Sequence, residues 1–103
     1  MRSFRRVGDH MYFVYVLYSK SRNKFYVGYT GDLEKRLKAH LNKSNHTSQR
    51  LGEIELVYYE ASKDEIDARL RERQLKTGFG RGYLRKRVSS YLRSSNSGIA
   101  AIV

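Results

Sequence analysis

The sequence predicts an α+β fold, in which helices flank a small three-stranded antiparallel sheet in the order β-β-α-β-α-α. Two observations lead to this class. Segments dense in aromatic and β-branched residues are bounded by turn residues, as strands are. Other segments repeat an apolar residue at every fourth position, which is the spacing of one helix face. A small sheet covered by helices is the simplest arrangement that buries both kinds of face.

Three segments rich in aromatic and β-branched residues supply the strands. Met11–Tyr18 and Phe25–Thr30 are separated by the polar run SKSRNK, which favours a turn, so we expect these two strands to form a hairpin. Ile54–Glu60 has a similar composition and supplies the third strand. The polar, basic segment Asn42–Gly52 precedes it and is predicted to be a loop.

Capping residues and apolar repeats supply three helices. Asp32 is suited to cap the first helix. Ser62 and Glu65 are spaced as a capping box, in which each satisfies the other's backbone amide, and they open a second helix that extends to Thr77. The glycine-rich residues 78–82 end this helix and begin the third. The apolar repeats are Leu33, Leu37 and Leu41 in the first helix and Leu84, Val88 and Leu92 in the third.

The length of 103 residues corresponds to one domain, which we place at residues 10–92. Residues 1–9 are predicted to form a flexible basic arm, and residues 93–103 a flexible tail. The absence of cysteine excludes a disulfide partner and a cysteine-based zinc site. The longest apolar stretch is too short to span a membrane, and no signal peptide is evident, so a cytoplasmic protein is expected.

The charge balance indicates a polyanionic partner. The chain has 21 Lys+Arg and 10 Asp+Glu, a net charge of +11. Nucleic acid is the partner that such a surface favours, DNA first and RNA second, and the alternative is charge that only maintains solubility. Nothing in the pattern indicates an oligomeric state. The candidate nucleic-acid-binding residues are Lys35, Lys38, Arg50, Arg69, Arg73, Lys76 and Arg81.

Three features suggest chemistry beyond binding. Five tyrosines in the first two strands predict a polar pocket against the sheet, or else core packing. Arg36 and His40 lie one turn apart on one helix face, where an ordinary solvated surface is the alternative. Glu72 is the one acid among nine Lys and Arg between Arg69 and Arg93, and it is either a salt-bridge partner or a ligand for Mg²⁺. The tyrosines are Tyr12, Tyr15, Tyr18, Tyr26 and Tyr29.

The order of several motifs resembles that of GIY-YIG nucleases. FVY at residues 13–15 and YVG at residues 26–28 are similar to the paired motif that names the family. DLEKRLKAH at residues 32–40 resembles the family's first helix, LVYYE at residues 56–60 its third strand, and ARLRERQLK at residues 68–76 the helix that carries its metal-binding glutamate. The resemblance covers residues 11–88 and is closest to the small stand-alone members, which consist of little more than the catalytic domain.

This resemblance implies an endonuclease that hydrolyses DNA phosphodiester bonds. Glu72 would bind one Mg²⁺ or Mn²⁺ ion, and Arg36 would stabilise the charge on the phosphorus. Tyr15, assisted by Tyr26, would orient or deprotonate the attacking water, and His40 would shuttle the proton. The enzyme would recognise the shape of the backbone rather than a base sequence. The alternative is a non-catalytic DNA- or RNA-binding module that retains the fold.

Overall fold

The computed structural model describes residues 10–41 and 53–95, and within these ranges the predicted α+β class is confirmed. The predicted arm over residues 1–9, the whole predicted loop over residues 42–52 and the chain beyond residue 95 lie outside the described residues. None of the helices in the described part has the length and apolar character needed to cross a membrane. The elements are β1 (Tyr12–Ser19), β2 (Lys24–Thr30), α1 (Leu33–Leu41), β3 (Ile54–Ser62), α2 (Glu65–Leu75), α3 (Gly78–Arg87) and α4 (Ser89–Ser95).

The sheet has the strand order β2-β1-β3, and both neighbours of β1 run antiparallel to it. The central strand therefore has a neighbour along each edge, and all residues from Val14 to Ser19 are buried. Because side chains alternate between the two faces of a strand, β1 directs Val14 and Val16 to one side and Tyr15 to the other. The predicted hairpin of β1 and β2 is confirmed, with Tyr15 opposite Gly28.

The hydrophobic core lies between one face of the sheet and the helices α2 and α3. Val14, Val16 and Val27 of the sheet form one buried cluster with residues of these helices, and Ala68 is fully buried within it. Burial of such side chains contributes about 1.5–3 kcal/mol each, so this face supplies much of the stability. The helical members of the cluster are Ala68, Leu75 and Leu84.

The predicted capping box at the start of α2 is wrong. Ser62 is the last residue of β3, where it pairs with Tyr12, so it belongs to the sheet instead of the helix. Asp64 caps the helix, and its Oδ1 accepts hydrogen bonds from the backbone amides of Ile66 at 2.8 Å and Asp67 at 3.4 Å. The third strand is thus two residues longer than predicted, and the helix start is displaced accordingly.

A glycine allows α2 and α3 to meet closely. Thr77 caps α3, and its Oγ1 accepts a hydrogen bond of 3.0 Å from the amide of Gly80. A Cβ atom at Gly80 would collide with the backbone of Gln74 and Leu75, so no larger residue fits there without displacing a helix. The third predicted helix begins already at Gly78 and ends at Arg87, because Val88 leaves the helical conformation and separates α3 from α4.

A partly buried ion pair joins α2 to β3. Arg71 Nε lies 2.8 Å from Glu60 Oε1, and Arg71 Nη2 donates a second hydrogen bond of 2.9 Å to Oε2. Tyr58 donates to the same carboxylate at 2.8 Å. The hydrogen bonds from Arg71, followed by that of Tyr58, hold the pKa of Glu60 below its usual value of 4.5. This bidentate contact attaches α2 to β3.

Candidate active site

Tyr15 is the centre of a group of polar side chains on the sheet face opposite the core. Its side chain is fully buried in the middle strand. Space for its ring exists because Gly28 lies directly across the sheet, where a Cβ atom would collide with the phenol. Tyr26 is two residues before Gly28 and so shares its face, with its ring centroid 6.4 Å from that of Tyr15.

Helix α1 brings a buried histidine against this tyrosine. Asp32 starts the helix as predicted, and its Oδ1 accepts a hydrogen bond of 3.1 Å from the amide of Lys35. Two turns later His40 is only 2% exposed, and its Nε2 lies 3.2 Å from Tyr15 Oη. The His40 ring also lies edge-on to Tyr26, with 6.0 Å between centroids. Tyr15, Tyr26 and His40 thus form a compact three-ring group.

The environment changes the acidity of both hydrogen-bonded groups. Burial raises the pKa of Tyr15 to about 12; Tyr26 and the negative charge of Glu72 add to this effect, whereas the charge and hydrogen bond of Arg36 oppose it. Burial, followed by the positive charge of Arg36, lowers the pKa of His40 below 6.5. At neutral pH Tyr15 is therefore protonated and His40 is neutral, so the pair consists of an acid and a base.

Arg36 and Glu72 complete the group from two different helices. Arg36 lies one turn before His40 on α1, is exposed, and acts on the Tyr15 hydroxyl by charge and hydrogen bonding. Glu72 extends from α2, with 21% of its side chain exposed, and its charge also reaches Tyr15. The Nζ of Lys76, one turn further along α2, lies 3.0 Å from Glu72 Oε2. Charged groups from α1 and α2 therefore act on the same buried hydroxyl.

Comparison with known proteins agrees with this arrangement. The sequence model of the GIY-YIG catalytic domain matches residues 11–84, which is most of the chain. The chain belongs to the GIY-YIG family. It is also 40% identical over 68 residues to a protein of Clostridium perfringens (strain 13 / Type A) named UPF0213 protein CPE1444, and the match covers 64% of this chain and 71% of that protein. No solved structure matches the chain significantly.

Membership of the GIY-YIG family confirms the resemblance seen in the sequence, and it identifies the chain as part of a family of nucleases. The glycine of the second family motif has a visible reason in this chain, since Gly28 makes room for Tyr15. The five residues expected to carry chemistry lie around one place in the fold, although their catalytic roles stay predictions. These residues are Tyr15, Tyr26, Arg36, His40 and Glu72.

Only part of the predicted tyrosine pocket exists. Tyr15 and Tyr26 lie with His40, as expected of polar groups that share a site. Tyr18 instead donates a 2.8 Å hydrogen bond to Asn23, and Tyr12 and Tyr29 stack against each other at 6.5 Å between centroids. These three are packing residues, so the alternative of core packing is correct for them. Strand alternation separates the two sets, because Tyr12 and Tyr18 are an odd number of residues away from Tyr15.

The predicted cationic residues are exposed where the structure describes them. Some already have partners: Lys38 pairs with Glu34 at 3.9 Å, and Arg69 pairs with Glu65 at 3.1 Å while lying over the Tyr29 ring. The ion pair of Lys76 with Glu72 corresponds to the salt-bridge alternative for Glu72. The partner itself was not predicted, although a spacing of four residues on a helix is the signal that predicts such pairs. Arg50 lies outside the described residues. The exposed set is Lys35, Lys38, Arg69, Arg73, Lys76 and Arg81.

The donor set at Glu72 fits a hard divalent cation that shares its ligands with a substrate. Within the described ranges no cluster of three or more His, Cys, Asp or Glu residues could enclose a metal ion. A single carboxylate is nevertheless typical of Mg²⁺ sites, where phosphate oxygens and water complete the coordination. Glu72 Oε2 already accepts a cation, the Lys76 ammonium, so its oxygen faces a position that positive charge can reach. Glu72 is therefore the residue that would hold the ion.

Proposed function

We propose that this chain is a metal-dependent endonuclease that hydrolyses the phosphodiester bonds of DNA. The observation that carries the proposal is the 3.2 Å contact between Tyr15 Oη and His40 Nε2, with Arg36 and Glu72 acting on the same hydroxyl. Membership of a nuclease family supports the class of reaction. A buried phenol that contacts a neutral imidazole supplies a route for a proton, which hydrolysis requires.

Tyr15 and His40 form a two-step proton relay in this proposal. The pKa of about 12 keeps Tyr15 protonated, so the phenol cannot act as a preformed base near neutral pH. Neutral His40, with its proton on Nδ1, accepts the Tyr15 proton at Nε2 while the Tyr15 oxygen accepts a proton from the attacking water. Tyr26 lies beside both rings and limits the positions open to that water. The relay delivers a hydroxide equivalent to the phosphorus without a free phenolate.

Arg36 and Glu72 act on the charge of the phosphate. The planar guanidinium of Arg36 is exposed at the mouth of the three-ring group, where it can donate two parallel hydrogen bonds to phosphate oxygens. Glu72 would hold one Mg²⁺ or Mn²⁺ ion, which when bound neutralises phosphate charge and stabilises the leaving 3′-oxygen. Because Arg36 and Glu72 come from different helices, the two can contact the same phosphate from different sides.

DNA is the substrate that we propose, with RNA as the alternative, and its backbone shape as the feature recognised. The net charge of +11 and the exposed cations of α1 and α2 suit a polyphosphate. Phosphate contacts position a nucleic acid without reading its bases, so randomising the sequence of a cleaved branched substrate should leave the rate nearly unchanged. A strong dependence on sequence would contradict this part of the proposal. Nucleic acids occur inside the cell, so the cytoplasm stays the compartment that we propose.

Metal-dependent cleavage tests the proposal directly. Purified protein is incubated with branched, nicked and linear DNA and with Mg²⁺, Mn²⁺ or EDTA. We expect cleavage only with metal, and Glu72→Gln should reduce the rate by at least about 100-fold, because it removes the one carboxylate ligand. Glu53→Gln alters an exposed acid outside the group and serves as the matched control. Cleavage that survives Glu72→Gln would contradict the assigned role of Glu72.

A non-catalytic nucleic-acid-binding module is the second candidate. Two observations favour it: Glu72 is already paired with Lys76 at 3.0 Å, and the Tyr15 phenol is a very weak acid. A binding module would hold DNA or RNA with a steep salt dependence and equal affinity in Mg²⁺ and EDTA, and it would cut none of the substrates. The cleavage assay with parallel binding measurements separates the two candidates.

A further inference from the structure

A groove runs between strand β2 and the junction of α2 and α3, next to the three-ring group. It has a volume of about 300 Å³. Phe25 and Val27 give it an apolar wall, Tyr26 connects it to the candidate active site, and two cationic side chains line the opposite side. The lining residues are Phe25, Tyr26, Val27, Leu75, Lys76 and Arg81.

At the junction of the two helices, the Arg81 side chain is hydrogen-bonded to the backbone of Lys76. Gly80 allows α3 to approach the end of α2, and Arg81 Nη1 donates a 3.3 Å hydrogen bond to the carbonyl of Lys76. That acceptor is neutral, and in residues 10–41 and 53–95 no carboxylate forms an ion pair with Arg81. Arg81 therefore presents an uncompensated positive charge to the groove, beside Lys76.

Lys76 contacts Glu72 of the candidate active site and also lines the groove. Its ammonium lies 3.0 Å from Glu72 Oε2, and the same side chain, which is half-exposed, lines the groove. The ion pair is an i, i+4 contact whose lysine is half-exposed, and ion pairs open to solvent contribute little stability and are readily exchanged. A divalent cation on Glu72 and an ammonium at 3.0 Å from the same oxygen would repel each other, so both cannot occupy this position.

We propose that the groove binds a phosphate group of the nucleic-acid substrate between Lys76 and Arg81, and that this binding draws Lys76 from Glu72 and frees the carboxylate for the divalent cation. The inference rests on the proposed function, since it assigns a second phosphate site to the same substrate. In the free protein Lys76 neutralises Glu72 and competes with the metal. Because coupling between two ligands is reciprocal, DNA tightens metal binding and the metal tightens DNA binding.

Metal binding in the presence and absence of DNA tests this coupling without relying on cleavage. Mn²⁺ affinity is measured by titration calorimetry on the full chain, alone and with a duplex whose phosphorothioate linkages resist hydrolysis. Without DNA, Lys76→Met should bind Mn²⁺ about two- to five-fold more tightly than the unmodified chain, because the competing ammonium is gone. Adding DNA should tighten Mn²⁺ binding more in the unmodified chain than in Lys76→Met, because the substrate phosphate supplies a ligand in both but only the unmodified chain must also release Lys76 from Glu72.

Two further variants make the test specific. Lys86→Met removes one charge from an exposed position of α3 and should behave as the unmodified chain. Mn²⁺ that binds to the DNA itself contributes equally in every sample, so comparison with Lys86→Met removes this background. Arg81→Met keeps the Lys76–Glu72 pair, so it should leave Mn²⁺ affinity unchanged without DNA but weaken DNA binding and the coupling. Equal Mn²⁺ affinities of Lys76→Met and Lys86→Met, or equal tightening by DNA in both, would overturn the proposal.

The outcomes separate this inference from the proposed function. Metal-dependent cleavage without any coupling through Lys76 would leave the nuclease activity standing and overturn the inference. Coupling in a protein that cuts no substrate would support the phosphate site in the groove and contradict the nuclease. Absence of Mn²⁺ binding in every variant would overturn both.

Discussion

Replacing His40 is the sharpest test of the proposed proton relay. His40→Gln keeps a polar side chain of similar size but removes the nitrogen that takes up a proton near neutral pH. In the unmodified protein the relay works while His40 is neutral. Because burial and Arg36 lower the pKa of His40 below 6.5, we expect the midpoint of the rise in cleavage rate to lie below pH 6.5 and the rate to level off at higher pH.

The acidity of Tyr15 determines what remains when His40 is removed. With a pKa of about 12, only a fraction of about 10⁻⁵ of the phenol is ionised at about pH 7 and about 10⁻⁴ at about pH 8. Without His40, the water proton must go to this scarce phenolate. The rate of His40→Gln should therefore increase about tenfold per pH unit between about pH 7 and about pH 9, and near neutral pH it should be about 10²–10⁴-fold below the unmodified rate.

Single-turnover cleavage of a nicked duplex with saturating Mg²⁺, from about pH 5.5 to about pH 9, measures both profiles. His10→Gln, which alters an exposed histidine, is the matched control and should leave the profile unchanged. Tyr15→Phe removes the hydroxyl that starts the relay and should be slow at every pH. Circular dichroism at each pH checks that the variants are folded. A flat profile for His40→Gln, parallel to that of the unmodified protein, would refute the relay.

Three further outcomes follow from the structure. Gly28→Ala should lower stability by about 1–3 kcal/mol and also reduce cleavage, since its Cβ collides with the Tyr15 ring, whereas Gly82→Ala has open space; equal thermal melts of the two variants would contradict this. As the pH falls, Glu60 is protonated at a higher pH in the unfolded chain than in the native state, because its native pKa is lowered. The interactions of ionised Glu60 therefore stabilise the fold above pH 4.5, and this stabilisation is lost as the pH falls. Urea unfolding between about pH 3 and about pH 6 should show this loss, and Arg71→Met, which removes the partner, should reduce it; an unchanged pH dependence in Arg71→Met would speak against the pair. DNA affinity should fall about 10³–10⁵-fold between about 50 and about 200 mM salt if six to ten cations contact phosphates, and a shallow slope in fluorescence anisotropy would show that fewer do.

The strands and helices were predictable because their signals are local. Aromatic, β-branched segments became β1, β2 and β3, and Asp32 caps α1 as its position indicates. The errors occurred where a neighbouring segment decides the outcome. Ser62 has the features of a helix cap, but pairing with Tyr12 draws it into the sheet and leaves the cap to Asp64. The sequence of residues 62–65 is compatible with a helix cap at Ser62 or at Asp64. The pairing of Ser62 in the sheet decides for Asp64.

The candidate site, too, was predicted in part from the sequence and in part only from the structure. Spacing predicted that Arg36 and His40 share a face, and the order of motifs identified Tyr15, Tyr26 and Glu72 as members of one group. The structure shows that two of the five tyrosines, Tyr15 and Tyr26, belong to the candidate site and that the other three are packing residues. The reason is that successive side chains of a strand point to opposite faces of the sheet. It also revealed the contact between Lys76 and Glu72, and the groove that shares this lysine.

By itself, the sequence determined the elements, the charge of +11 and the membership of a family, since each depends on residue types and on spacing along the chain. Only the tertiary structure decided the acid–base chemistry. Tyr15 and His40 are 25 residues apart in the chain, and packing α1 on the sheet places them at 3.2 Å. Burial at that contact raises the pKa of Tyr15 and lowers that of His40, because a buried group loses the water that stabilises its charged form.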